Sequence, residues 1–285
     1  MPASGYYAWQ TGQQRAVDQQ TPAWETALVK TFGVHQRRYG TRRLQVALRE
    51  NGHRVGRQRL RTAMRRRGLR ALQPKASTPR TTDSTHGLRC APNRLLNQPK
   101  PTRANQVWVS DITYLPLANG NWAYLCAFQD AAIKHVVSWH VGATMPEELV
   151  TTALQRVFFA QSPTLGLVVH SDCGRTRQGG QYCCNAYRAL LHGHGAVRSQ
   201  SRRGECYDNA LPGTTQAESP WSRLKTEVLE VRERLVFADL ANAQVSVADY
   251  FDYYNHERLR SSIDCQTPYH THQQLLQLNA LNCPA

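Results

Sequence analysis

Two hydrophobic periods divide the chain. Up to residue 72 the apolar positions repeat at helical spacing, and from residue 103 they fall in short alternating or wholly apolar runs. Residues 1–34 read as helical: Thr21-Pro22 resembles a cap followed by proline in the first turn, and Ala27, Leu28 and Phe32 fall on one face. Gly5-Tyr6-Tyr7-Ala8-Trp9 forms an apolar cluster ahead of it. A helix starting at Thr41 is predicted to bury Leu44, Ala47 and Leu48. A second, after Gly52-His53-Arg54-Val55-Gly56, is predicted to bury Leu60, Ala63 and Met64, with Gly68 as its stop. Two short helices joined by a glycine-containing turn suggest a helix-turn-helix. Pro74, Pro79, Pro92, Pro99 and Pro101 punctuate residues 73–102, which read as a linker.

The second period gives the rest of the chain. Gln106–Tyr114 reads as a strand running on to about Leu117, Asn119-Gly120 as a tight turn, Trp122–Phe128 as the returning strand and Ile133–Val141 as a third. Pro146–Gln161 reads as a helix, with Leu149, Ala153 and Val157 on one face. The apolar Gly166–Ser171, bounded by Asp172, has the composition of a buried parallel strand. A helix over Tyr182–Leu191, a strand over Ala196–Ser199 and helices over Pro220–Arg232 and Ala238–Tyr254 complete the order. This is an α/β arrangement with the element order of a ribonuclease H-like fold, a mixed five-stranded sheet flanked by helices. The predicted division is 1–72 helical, 73–102 linker and 103–285 catalytic core with C-terminal helices.

Charge sharpens this picture. The formal net charge is +15. Residues 35–72 hold thirteen arginines against one acid, Glu50. So one-sided a charge favours a polyanion, and with no apolar run near the ~18 residues of a membrane span, DNA is the expected partner. Arg42, Arg43, Arg57, Arg61 and Arg65 are the candidate DNA contacts in this region. Arg202 and Arg203 are the candidates in the second half. No secretory pattern begins the chain, so a cytoplasmic location with reduced thiols is expected for the eight cysteines. They contain no C-x-x-C pair, which argues against a zinc ribbon.

Asp111 lies mid-strand on the face it shares with Val107, Val109 and Thr113, where an unpaired carboxylate is costly. In the expected topology the first and fourth strands are neighbours, so Asp111 and Asp172 approach each other. Like charges brought together resist ionisation, and a divalent cation removes that penalty. Hard oxygen ligands select two Mg²⁺ or Mn²⁺ ions, the pair that serves phosphoryl chemistry. Glu218, near the start of a late helix, is the natural third ligand.

Several segments carry a resemblance. They are Trp108-Val109-Ser110-Asp111-Ile112-Thr113-Tyr114, His170-Ser171-Asp172-x-Gly174, Ser201-Arg202-Arg203-Gly204-x-Cys206-Tyr207-Asp208-Asn209-Ala210, Glu218-Ser219, Leu224-Lys225-Thr226-Glu227, Tyr254-Asn255-x-x-Arg258 and Thr267-Pro268. In this order, and with Ser4–Trp9 and Arg38-Tyr39-Gly40-x-Arg42-Arg43-Leu44 upstream, they resemble OrfB-type insertion-sequence transposases of the IS-three family. That family has a retroviral-integrase-like core. The resemblance implies a metal-binding, catalytic D,D,E triad of Asp111, Asp172 and Glu218. It also implies strand transfer in DNA transposition, a homo-oligomer on DNA, and an OrfA-type partner or frameshift fusion. Glu227 falls where the family has a non-catalytic acid. Read from their own surroundings, Asp130 is a turn-closing residue, His170 is structural, and the aromatics of Tyr250–Tyr254 belong to the core.

The chain also departs from the family. Forty-five residues separate Asp172 from Glu218, longer than usual, with extra residues within Arg175–Gly180 and near Pro212–Gln216. Cys173 and Pro220 replace the usual arginine and aromatic. A second reading follows: a catalytically impaired remnant acting only as a DNA-binding protein.

Overall fold

The computed structural model describes residues 21–73, 90–161, 163, 165–172, 180–202, 223–229 and 235–281, the last of these with side chains to 277. The chain divides into two compact units, Met1–Gln73 and Pro74–Ala285.

In the first unit the described residues form α1 (Ala23–Val34), α2 (Thr41–Glu50) and α3 (Arg57–Arg66). The buried faces of α2 and α3 are Leu44, Ala47 and Leu48, and Leu60, Ala63 and Met64, as their spacing predicts. Both helices end in the same way. Gly52 and Gly68 take φ of +83° and +65°, and the next amide reaches back to close the last turn: His53 N–H to Leu48 O at 2.8 Å, Leu69 N–H to Met64 O at 2.8 Å. Only glycine adopts this left-handed conformation without strain. Gln45 Nε2 bonds Val55 O across the turn at 3.0 Å. The start of α1 differs from expectation. Pro22 occupies the cap position, and the Thr21 hydroxyl accepts a hydrogen bond from Arg67 instead of capping the helix.

The second unit is built on five strands: β1 (Val107–Pro116), β2 (Trp122–Asp130), β3 (Val136–Gly142), β4 (Val168–Ser171) and β5 (Val197–Gln200). Their order is β3-β2-β1-β4-β5. The first three are antiparallel neighbours, while β4 and β5 join in parallel. Alternation along β1 and β2 separates two cores. Trp108, Cys126 and Phe128 face α4 (Glu147–Gln161) and α5 (Asn185–Gly193), whereas Leu115, Leu125 and Ala127 face α6 (Leu240–His256). A further helix, α7 (Pro268–Leu281), follows α6.

Three residues of α6 and its C-terminal extension give the Tyr254-Asn255-x-x-Arg258 motif a structural meaning. Asn255 bonds both backbone groups of Val136 on edge strand β3, at 2.9 and 3.0 Å. The Tyr254 hydroxyl accepts from Gln129 Nε2 (2.8 Å) and Arg260 Nη1 (2.6 Å). Arg258 grips Glu227, as described below. Asp130 is fully buried at the end of β2, where its carboxylate accepts the amides of Ala132, Ile133 and Asn105, the turn-closing role read from sequence.

Three local expectations are corrected. The helix expected from Tyr182 is interrupted: a 3₁₀ turn, Gln181–Cys183, ends at extended Cys184 before α5 begins. The break lets the Tyr182 hydroxyl plug beneath β1 at 2.8 Å from Ser110 Oγ. The described part of the predicted helix over 220–232 contains a π-helical turn, Lys225–Leu229. Cys90 is disulfide-bonded rather than a free thiol. The expectation rested on compartment, which says nothing about which sulfurs become neighbours. Residues 90–95, inside the stretch read as linker, lie along β5: Ala91 N–H bonds Gln200 Oε1 (2.8 Å), and Arg94 N–H bonds Ser199 Oγ (2.9 Å).

Candidate active site

The parallel pairing of β1 with β4 places Ser110 opposite Ser171. One residue further on, Asp111 and Asp172 therefore leave adjacent strands on the same face, with backbones ~4.8 Å apart. Asp111 is partly buried. Its carboxyl pKa is pushed up to about 7, first by burial and then by the charge of Asp172. The Ile112 amide, 2.8 Å from Oδ1, and the Lys225 ammonium oppose this and do not cancel it. Lys225 is itself desolvated, which pulls its pKa down while Asp111 draws it up.

Asp172 follows the last residue of β4, at the carboxyl end of a parallel strand, where α/β sites form. Its Oδ1 accepts from Ser201 Oγ at 2.6 Å, and the Ser201 amide bonds Ser171 O at 3.1 Å. The residue after β5 thus fixes the side chain that follows β4. His170, fully buried, bonds Ser199 Oγ through Nδ1 at 2.9 Å, the structural role read from sequence.

The π turn is held from behind. Glu227 accepts from Arg258 Nε (3.0 Å) and Nη2 (2.6 Å) and from the Tyr250 hydroxyl (3.1 Å). Both members of this ion pair are almost fully buried. Glu227 is therefore committed to structure, and the residue two before it, Lys225, is the one carried toward Asp111.

Of the predicted carboxylates, Asp111 and Asp172 come together. Glu218 lies outside the described residues, as do Arg203, Cys173, Pro220, Asp208-Asn209, the Gly5–Trp9 cluster, residues 175–179 and residues 212–216. Among the described residues, no group of three His, Cys, Asp or Glu side chains is placed to hold a metal. Arg202 is exposed directly after Ser201. In the first unit Arg42, Arg57, Arg61 and Arg65 are exposed. Arg43 is partly buried, bonded to Arg38 O and lying over Tyr39. Lys225 and Ser201 were missed. The signal for both was membership of segments that carry the resemblance, Leu224-Lys225-Thr226-Glu227 and Ser201-Arg202-Arg203-Gly204.

An integrase core domain family matches residues 101–206, a second integrase core domain family matches 195–268, and an HTH-like domain family matches 25–77. A 31 kDa protein of insertion element IS600 from Shigella sonnei is 37% identical over 269 residues, 93% of this chain and 92% of that protein. The InsF transposase of insertion sequence IS3A from Escherichia coli K12 is 31% identical over 244 residues, 85% of this chain and 80% of that protein. Among solved structures, a chain of a simian T-cell lymphotropic virus intasome aligns over 80% of this chain and 70% of its own length, at 12% identity and a TM-score of 0.49.

Proposed function

This chain belongs to the IS3-type insertion-sequence transposases with an integrase core domain, and from that premise we propose that Asp111, Asp172 and Glu218 are its catalytic carboxylates, in a DNA strand-transfer reaction that uses two Mg²⁺ or Mn²⁺ ions. The observation that carries the reading is the pair itself: two carboxylates on adjacent parallel strands, with Asp111 held near neutrality by burial and by Asp172. Among the described residues one partly buried ammonium, Lys225, offsets the charge of the pair, and the donors of the pair are hard oxygens. Both properties fit a divalent cation of the magnesium kind and disfavour zinc or copper. Asp111 and Asp172 would hold it, with Glu218 as third ligand.

When bound, the ions supply Lewis acidity at phosphorus and a lower pKa for the attacking oxygen. The side chains do the rest. Ser201 fixes the rotamer of Asp172. Lys225 presents positive charge beside Asp111, where a phosphodiester carries negative charge. Water cleaves a strand at the element end, and the freed 3′-hydroxyl attacks a second strand and displaces its 3′ oxygen; no covalent protein–DNA link is needed. Arg42, Arg43, Arg57, Arg61 and Arg65 of the HTH-like unit bind DNA, and Arg202 and Arg203 contact phosphates beside the carboxylates. We also assign to the chain a homo-oligomer on DNA, an OrfA-type partner or fusion, and a cytoplasmic site of action in bacteria. No described helix is long and apolar enough to cross a membrane.

The test is strand transfer on element-end oligonucleotides with Mg²⁺ or Mn²⁺, with Asp111→Asn beside the unaltered protein. Joined product from the unaltered protein alone supports the reading. Equal product from both overturns it. DNA binding without joined product identifies the impaired remnant.

A further inference from the structure

Arginine fills most of the exposed surface of α3, with two exceptions that share one place on the helix. Seven residues of α3 are exposed: five arginines, together with Gln58 and Thr62. The buried side is Leu60, Ala63 and Met64. At about 100° per residue, Gln58 and Thr62 lie within about 30° of the pole opposite that side, one helical turn apart. Arginines flank them. On one flank Arg66 is bonded to Glu25, and Arg59 lies over the Trp24 ring, 5.6 Å from its centre. On the other, Arg61 and Arg65 line a concavity of about 360 Å³ with Thr41 from the first turn of α2. Threonine forms helix less well than arginine, so the stability of α3 gives no reason for Thr62.

We propose that Gln58 and Thr62 are the residues with which this unit reads DNA sequence, and that Arg57, Arg61 and Arg65 beside them hold phosphates. The inference rests on the reading of the chain as a DNA transposase and deepens it, by separating recognition from attachment within the HTH-like unit. A helix laid in the major groove turns the side opposite its own core toward the base edges, and its flanks toward the groove walls, where the phosphates run. Phosphates carry no sequence information, whereas base edges do. An arginine on a flank therefore adds affinity for any duplex. The pole calls for groups that fit one base. A glutamine amide bonds N6 and N7 of adenine together, and a threonine methyl packs on the thymine methyl. Gln58 lies in the first turn of α3, the end from which such helices reach bases. Four residues at ~1.5 Å each put Thr62 ~6 Å further along the axis, so the two positions read within about two base-pair steps of each other.

The experiment uses the full chain and a pool of duplexes with a randomised centre, from which bound duplexes are recovered and sequenced. Anisotropy on a recovered duplex then gives the slope of log K against log[salt]. The unaltered protein is expected to select a motif with an adenine within about two steps of a thymine. Gln58→Ala/Thr62→Ala is expected to lose the preference at those two positions, each contact being worth about 5- to 150-fold, and to keep the slope. Arg61→Ser/Arg65→Ser is expected to do the reverse, with the same motif and a slope lowered by about 1.8. Gln58→Arg is expected to exchange adenine for guanine at one position, a change that loss of folding cannot imitate. All four positions are exposed, so the thermal transition should not move.

The same motif from Gln58→Ala/Thr62→Ala as from the unaltered protein overturns the assignment, as does a Gln58→Arg variant that still selects adenine. A motif altered by Arg61→Ser/Arg65→Ser and not by the alanine pair makes the arginines the readers and overturns it too. Selection of no motif at all makes the unit a phosphate clamp and has the same consequence. Strand transfer is measured on the same preparations. A selected motif without joined product strikes the proposed function and leaves Gln58 and Thr62 as readers, whereas joined product with an unchanged motif in the alanine pair strikes only the readers.

Discussion

Replacing Glu227 by glutamine keeps the shape of the side chain and removes its charge. What remains is the Arg258 guanidinium, 1% exposed, with no counter-charge at the two atoms that held it. Arg258 has no route to neutrality, because a guanidinium keeps its proton even where burial disfavours the charge. Breaking one side of a buried ion pair costs about 3–5 kcal/mol. The unit Pro74–Ala285 falls in the size class where 1 kcal/mol moves Tm by ~2–4 °C, so a fall of about 6–20 °C is expected. Calorimetry would measure it, with the fluorescence of buried Trp108 reporting the same unit. The double variant Glu227→Leu/Arg258→Met is the control. It removes both charges and keeps apolar volume, and should recover most of the loss, since replacing a whole buried pair is often neutral or stabilising. Two results refute the reasoning: a single-variant cost below about 1 kcal/mol, or a double variant as damaged as the single. The second would mean that packing rather than uncompensated charge sets the cost. A functional arm follows from the π turn. Lys225 lies two residues before Glu227 in that turn, so strand transfer by Glu227→Gln well below its Tm should fall further than its folded fraction does.

The first unit gives a contrast in which solvent decides. Glu25 is buried and bonded to Arg66 and Arg67, whose side chains are 64% and 32% exposed. Burial pushes the Glu25 pKa up, and the two arginines outweigh it and hold the carboxyl below its usual range. Because the orphaned arginines can rehydrate, Glu25→Gln should cost only about 1 kcal/mol by urea unfolding, and a loss above about 3 kcal/mol would show that exposure is the wrong criterion. His135 supplies the pH dependence. Burial first, then the charges of His272 and His256, lower its pKa from 6.5 to about 4. The unfolded chain therefore takes up the proton first: this contribution is complete above about pH 6.5 and is lost as pH falls toward 4, on the order of 3 kcal/mol. Its Nδ1 is buried without a hydrogen bond, so His135→Phe should fold and flatten that part of the pH–stability curve; an unchanged slope assigns the acid sensitivity elsewhere.

What was legible in the sequence is what depends on neighbours along the chain. Leu44, Ala47 and Leu48, and Leu60, Ala63 and Met64, are buried because 3.6 residues make a turn. The glycines that stop those helices were visible for the same local reason. Alternation separated the faces of β1, and the order of elements was enough to put β1 beside β4, hence Asp111 beside Asp172. A window of composition was less reliable. The tally over residues 35–72 counted Arg66 and Arg67 as surplus charge, although Glu25, outside the window, is bonded to both.

The remaining misses all occur where a distant residue sets the local conformation. Tyr182 breaks its helix because Ser110, seventy-two positions earlier, offers its hydroxyl a partner beneath β1. The segment Lys225–Leu229 has the composition of an ordinary helix, yet widens to a π turn. A π turn is seldom stable alone and often marks a functional site. Here Arg258 and Tyr250 hold Glu227 from thirty-one and twenty-three positions away. Ser201 bonds Asp172 only because parallel β4 and β5 end together. No periodicity encodes these contacts, since each depends on which strands and helices end side by side. The carboxylates were therefore readable as candidates, whereas Ser201 beside Asp172 and Lys225 beside Asp111 became visible only once the sheet had closed around them.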